Sequence, residues 1–146
     1  YHRMSMIDAS PEKQAEMKAS IGNFCAIVNK LFSDTGKRIE IEGNKFNIVA
    51  GNQLLPINAL SSGEKQILLI LLRVFLLDGK SGYVLIDEPE NSLDISWQFE
   101  LINILEKLNP NAQYFITTHS PSIFGKGWGD KIIYMEDITT PVNTKS

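Results

Sequence analysis

Tyr83-Val84-Leu85-Ile86-Asp87-Glu88 is an apolar run that stops on two adjacent carboxylates, with Gly82 before it and Pro89 after it. A short β-branched, aromatic and aliphatic run between turn signals reads as a buried strand of a parallel sheet. In open α/β sheets ligands bind beyond the carboxyl ends of such strands, which is where Asp87 and Glu88 fall. One carboxylate there can hold a hard divalent cation that in turn carries phosphates. Its neighbour can take a proton from an attacking water. A strand that simply ends in two solvated acids is the plain alternative, and the rest of the chain decides between them.

The chain has 146 residues, enough for one domain with a sizeable core. It is 43% apolar and 21% charged, an ordinary globular balance, and its net charge of −3 demands neither nucleic acid nor an anionic membrane. A single cysteine, Cys25, permits no internal disulfide and suits a reducing compartment, so a cytoplasmic location is expected. The longest apolar stretch, residues 67–77, is interrupted by Arg73 and is too short to cross a bilayer. No secretory leader is recognisable.

Around the opening run the elements fall into an alternating order. Ser10-Pro11-Glu12 starts a helix to about residue 32, with Met17, Ile21, Phe24, Val28 and Leu31 on one face. Residues 38–42 and 45–49 alternate polar and apolar around Gly43-Asn44 and read as a hairpin. A nearly all-apolar helix over about 64–77 is expected to be buried on most sides. A helix over about 93–108 carries Trp97, Leu101, Ile104, Leu105 and Leu108 on one face and ends before Pro110. Residues 112–117 and 131–135 read as two further strands. Strand–helix–strand–helix–strand at this spacing implies a parallel sheet with helical crossovers.

Five segments in a fixed order carry the chemistry: residues 60–66 (LSSGEKQ), 87–89 (DEP), 91–94 (NSLD), 96–98 (SWQ) and 117–121 (TTHSP). Ser61-Ser62-Gly63 places small residues and free amides at a helix start, a ready phosphate site or a plain helix cap. His119 follows a strand and falls level with Asp87 and Glu88 if the two strands are neighbours. An imidazole there can hydrogen-bond a terminal phosphate or position water, or be an unremarkable surface histidine. Asp94 could serve as a cap of the helix that follows it.

Taken together, the five segments resemble the ABC-type ATPases, within the soluble branch of chromosome-organising, break-repair and phage-defence (OLD-like) enzymes. The resemblance covers about residues 60–135. It implies an α/β, P-loop NTPase-type partial domain, a mostly parallel sheet flanked by helices with a small β-hairpin. On this resemblance Leu60-Ser61-Ser62-Gly63-Glu64 is the signature that binds ATP in trans, with Ser61, Ser62, Gly63 and Glu64 as its contacts. The 83–88 strand is the Walker B strand, with Asp87 organising Mg2+ and Glu88 the general base. Ser92-Leu93-Asp94 is the D-loop and His119 the switch histidine. Trp97-Gln98 looks like the phage-defence branch. ATP and Mg2+ are the implied cofactors, and a second copy of the domain the implied partner. The implied function is ATP hydrolysis by a head-to-tail dimer, driving a conformational switch in a DNA-repair or phage-defence system. An alternative is a slow or non-hydrolysing assembly switch that controls an effector. Nucleic acid or an effector protein would be reached through parts outside this chain, and no membrane is implied.

Two departures stand out. Ser62 occupies a position where many relatives have glycine. The phosphate loop, glycine-x4-glycine-lysine-serine/threonine, is absent. Gly79-Lys80-Ser81 has Val74 five residues before Gly79 and precedes a strand, while Gly36-Lys37 and Gly125-Lys126 have Leu31 and Ser120 at that earlier position. The expectation is therefore that residues 1–146 form a single domain, the C-terminal portion of an ATPase head, which alone binds ATP weakly or not at all. A metal-dependent nuclease built on Asp87, Glu88 and Glu90 is a third reading, but it leaves the signature and His119 unexplained.

Overall fold

The computed structural model describes residues 10–42, 45–125 and 127–139. Helix α1 spans Pro11–Leu31, with Ser10 Oγ accepting the Lys13 amide and proline in the first turn. Only its second half enters the core: Phe24, Val28 and Leu31 are buried, whereas Met17 and Ile21 are half-buried. A 3-10 turn over Phe32–Thr35 ends at Gly36, whose φ of 69° is the left-handed conformation that glycine adopts at no steric cost.

An antiparallel meander follows, built from β1 (Lys37–Glu42), β2 (Lys45–Ala50) and β3 (Gln53–Leu55). Its register runs from Lys37 opposite Ala50 to Glu42 opposite Lys45. The Gly43-Asn44 turn expected for this hairpin lies outside the described residues. The third strand is only three residues long, too short for alternation to announce it. Asn29 locks α1 to the meander, its side chain accepting from the Ile39 amide at 2.6 Å and donating to the Ile39 carbonyl at 3.0 Å.

The second half alternates as expected. Helix α2 covers Ser62–Phe75, β4 Gly82–Asp87, α3 Ile95–Leu108 and β5 Ala112–Thr117; short helices α4 (Pro121–Phe124) and α5 (Met135–Ile138) follow. Strands β4 and β5 are parallel, with Gly82 beside Ala112 and Asp87 beside Thr117. That register sets the two strand ends level. Phe24, Phe32, Ile39, Ile67, Leu71, Leu101, Leu105 and Ile123 are fully or almost fully buried and join α1, β1, α2, α3 and α4 in one core. Phe32 stacks on Trp97 at 5.9 Å and Phe24 meets Phe75 at 4.6 Å. The C-terminal end of α3 is fastened by Tyr114, whose hydroxyl donates to the carbonyls of Leu105 (2.7 Å) and Asn109 (3.0 Å). Burial, aided by the Glu106 charge, pushes that hydroxyl up to about 12.

Three expectations are corrected. Helix α2 is buried on one side only: Ile67, Leu68, Leu71 and Val74 face the core, while Leu69 is 50% exposed. The β4–β5 pair is covered on one face, by way of Val84, Ile86, Tyr114 and Ile116, and leaves Tyr83, Leu85 and Phe115 exposed on the other. Residues 131–135 are not a strand. Ile132 and Tyr134 have extended backbones, but no described strand lies alongside to complete a ladder, and the chain turns into α5 at Met135. β-propensity sets φ and ψ there, whereas a strand also needs a hydrogen-bonding neighbour.

Candidate functional site

The parallel register brings the predicted acids and the histidine to one edge. Asp87, the last residue of β4, accepts a hydrogen bond from the hydroxyl of Thr117, its partner at the end of β5. The next residue, Glu88, turns the chain sharply, its amide donating to the Thr117 carbonyl at 3.0 Å. Its φ of 42° lies in the left-handed region that non-glycine residues avoid, a strain typical of functional turns. The turn projects the Glu88 carboxylate beside the His119 imidazole, with Oε1 and Nε2 3.4 Å apart. The His119 side chain is 91% exposed and that of Glu88 43%. Asn91 Nδ2 donates to the other carboxylate oxygen at 3.0 Å, which fixes the group's rotation.

Glu90 supports this pair from behind. Its Oε1 accepts the His119 amide at 2.8 Å, while its buried Oε2 has no hydrogen-bond partner among the described residues. Burial works to raise the Glu90 carboxyl, but hydrogen bonds from its own amide and the His119 turn outweigh it and hold the group below the usual carboxylate range. An open cleft of about 430 Å3 is lined by Glu88, Glu90, Asn91, His119, Ser120 and Pro121. A groove of similar size along α3, lined by Glu100, Asn103, Glu106, Lys107 and Pro110, lies apart from these groups.

The signature segment forms the start of α2. Ser61 is the N-cap in a capping box: its Oγ accepts the Glu64 amide at 3.2 Å, and Glu64 Oε2 accepts the Ser61 amide at 2.6 Å. Glu64 is 2% exposed and points inward, where Lys37 Nζ of β1 meets it at 2.8 Å. Burial acts to raise the Glu64 carboxyl, yet the bonds from Lys37 and the Ser61 amide prevail and lower it. Gly63 is also buried, and a Cβ on it would sit 2.2 Å from the Ser92 carbonyl oxygen. That close approach requires glycine here. Ser61 and Ser62 remain exposed, and the first-turn amides of Ser62 and Gly63 have no intrahelical acceptor.

Ser92 adopts a left-handed φ of 68°. Asp94 caps α3, its carboxylate accepting from the Ser96 amide (2.8 Å) and hydroxyl (2.6 Å), which hold it below its ordinary range. The geometry thus joins Asp87, Glu88 and His119 at one edge. It places Ser61 and Ser62 on an exposed helix tip, with Gly63 and Glu64 buried behind them and Asp94 capping α3. Thr117, Asn91 and Glu90 contribute without having been singled out for these tasks. Thr117 was foreseeable as the residue level with Asp87, whereas the Asn91 and Glu90 contacts depend on the Glu88 turn.

Among the described residues no three His, Cys, Asp or Glu side chains converge on a point that would enclose a metal. Magnesium is ordinarily held by one or two carboxylates together with phosphate oxygens and water, and exposed Asp87 with half-buried Glu88 suits that donor set. No helix of the described residues is long and apolar enough to cross a membrane.

Residues 7–125 match the family described as "AAA domain, putative AbiEii toxin, Type IV TA system". Among curated proteins, the "Retron Ec83 probable ATPase" of Escherichia coli is 41% identical over 83 residues, covering 49% of this chain and 15% of that protein. The "DNA double-strand break repair Rad50 ATPase" of Sulfurisphaera tokodaii is 31% identical over 107 residues, covering 68% of this chain and 12% of that protein. The chain therefore spans only a small fraction of the length of these relatives. The fold is similar to an SMC head bound to the C-winged helix domain of ScpA, with a TM-score of 0.57, 21% identity, and coverage of 73% of this chain and 36% of that one. A structure from work on "ATP-driven dimerization and DNA stimulated activation of SMC ATPases" gives a TM-score of 0.51 at 21% identity, covering 77% of this chain and 76% of that one. With residues 7–125 matched to its model, the chain belongs to this AAA-domain family, and its fold is similar to that of SMC heads.

Proposed function

We propose that the intact protein binds and hydrolyses ATP as a head-to-tail dimer, with Glu88 as general base, His119 as the γ-phosphate contact and Asp87 as the Mg2+-organising acid. The observation that carries this reading is the meeting of the Glu88 carboxylate and the His119 imidazole, 3.4 Å apart, beyond two level parallel strands. Mg2+ bound through Asp87 would supply charge neutralisation on the phosphates. Glu88 lines the open cleft, where its carboxylate can orient a water and accept its proton, while Asn91 donates to Oε2. His119 Nε2 can donate to a phosphate oxygen while Glu90 holds its backbone in place. From a second copy, exposed Ser61 and Ser62 and the first-turn amides of α2 would meet the developing negative charge at the positive end of a helix dipole. The phosphate loop would come from polypeptide outside residues 1–146, since no glycine-x4-glycine-lysine-serine/threonine pattern occurs within them. Hydrolysis would drive a conformational switch in a DNA-repair or phage-defence system. The break-repair name of one relative supports that class.

A complementation experiment tests the trans arrangement. Ser62→Arg blocks the tip while leaving the Ser61 cap intact, and Glu88→Gln removes the base. Each variant of the intact protein is expected to be inactive alone. In an equal mixture half the dimers are mixed and each has one sound site, so phosphate release recovers to about a quarter of the wild-type rate. No recovery on mixing contradicts the shared site.

A further inference from the structure

Gln98 lies on the first turn of α3, and neither the cap nor the cleft requires it. Its side chain is half-buried and bonded at both ends. Nε2 donates to the Leu93 carbonyl at 3.1 Å, and Oε1 accepts the Ser120 hydroxyl at 2.7 Å. Ser120 Oγ in turn accepts the Ser122 amide at 3.3 Å, and the Ser120 amide donates to Thr118 Oγ1 at 3.0 Å, so the serine has a fixed orientation within the turn that carries His119. At the other end, Leu93 is buried and directly follows Ser92, whose carbonyl abuts Gly63 at the tip of α2. One continuous path of contacts therefore runs from the tip of α2, through the 92–94 turn and Gln98, to Ser120 and His119.

We infer that Gln98 is a positioning residue that couples the 92–94 turn, and through it the α2 tip, to the turn that holds His119. This rests on the proposed function, in which the α2 tip serves a second copy's nucleotide and His119 serves the chain's own. A shift of the tip then reaches the chain's own cleft as a displacement of the Ser120 hydroxyl. A glutamine suits the task because its amide offers a donor to the carbonyl on one side and an acceptor to the hydroxyl on the other. Alanine provides neither. Glutamate keeps the acceptor for Ser120 but sets a second acceptor against the Leu93 carbonyl, so it breaks one link only.

The test uses the intact protein and two readouts. In ATP hydrolysis, Gln98→Ala is expected to lower kcat about tenfold with KM for ATP changed less than about twofold. Ser120→Ala is expected to match it, and the double variant to be no worse than either. In a His119→Ala background Gln98→Ala should add nothing, a pattern that a general loss of packing would not give. The second readout is amide hydrogen exchange over residues 118–122. Gly63→Ala, which forces the Ser92 carbonyl to move, should raise exchange there when Gln98 is present and leave it unchanged in Gln98→Ala. If Gln98→Ala does not fold, the isosteric Gln98→Glu carries the same comparisons. A wild-type kcat in Gln98→Ala overturns the positioning role. So does a Gly63→Ala effect on residues 118–122 that is the same with and without Gln98. If the wild-type protein itself releases no phosphate, the proposed function fails, and the exchange comparison still decides the coupling.

Discussion

The start of α2 and the ends of β4 and β5 carry the same kinds of groups and treat them in opposite ways. At the α2 tip a carboxylate and a serine hydroxyl are satisfied internally: Glu64 is buried against Lys37 and the Ser61 amide, and Ser61 caps the helix. At the strand ends a carboxylate and an imidazole stand exposed on a turn with a left-handed φ, held by Asn91 and Glu90 yet open to the cleft. The first arrangement lowers the free energy of the fold. The second holds a carboxylate and an imidazole in place beside the open cleft. On the proposed function the tip is offered to a second copy and the edge to the chain's own nucleotide, and that division of labour needs both arrangements.

Substitutions should separate the two regions by what they damage. The largest effect on stability is expected from Glu64→Ala, which leaves the Lys37 ammonium without its buried partner; thermal or urea unfolding should show a loss of about 3 kcal/mol. Next comes pH. Because the Glu64 carboxyl is held below its ordinary value near 4.5, its contribution is complete above that value and is lost as pH falls through and below it. Stability measured from pH 6 downward (roughly to pH 3) should fall less steeply in Glu64→Gln than in the wild type. Ser61→Ala removes the cap and should cost about 1 kcal/mol. The smallest change is expected from Asn91→Ala, an exposed residue at the reactive edge, whose stability should stay within about 0.5 kcal/mol of wild type. Its phosphate release should nevertheless slow several-fold, because Glu88 loses the donor that fixes its rotation. An Asn91 variant as unstable as Glu64→Ala, with unaltered turnover, would erase the distinction between the regions.

The meeting of Asp87, Glu88 and His119 at one edge was legible in sequence because its pieces are local. An apolar run ending in Asp87-Glu88 and a second run ending before His119 need only to be neighbours, and two parallel strands with a helical crossover supply that. The inward turn of Glu64 was not legible, because its partner Lys37 lies 27 residues earlier on a different element. The packing need for glycine at position 63 was likewise not legible, because the Ser92 carbonyl that occupies the space of its missing side chain lies on a different element. The misread strand at 131–135 and the overlooked one at 53–55 have a common cause. Pairing defines a strand, and composition reports only the tendency to extend. Helix α1 shows the same limit: its apolar stripe is continuous from Met17 to Leu31, but the core reaches only the half from Phe24 onward.

The most direct measurement is single-turnover phosphate release by the intact protein with and without Glu88→Gln, in Mg2+ and saturating ATP. With Glu88 as the base, the variant should keep bound nucleotide and release phosphate at least about 100-fold more slowly. Release at the wild-type rate would contradict the assignment of Glu88 and, with it, the catalytic reading of the edge it shares with His119.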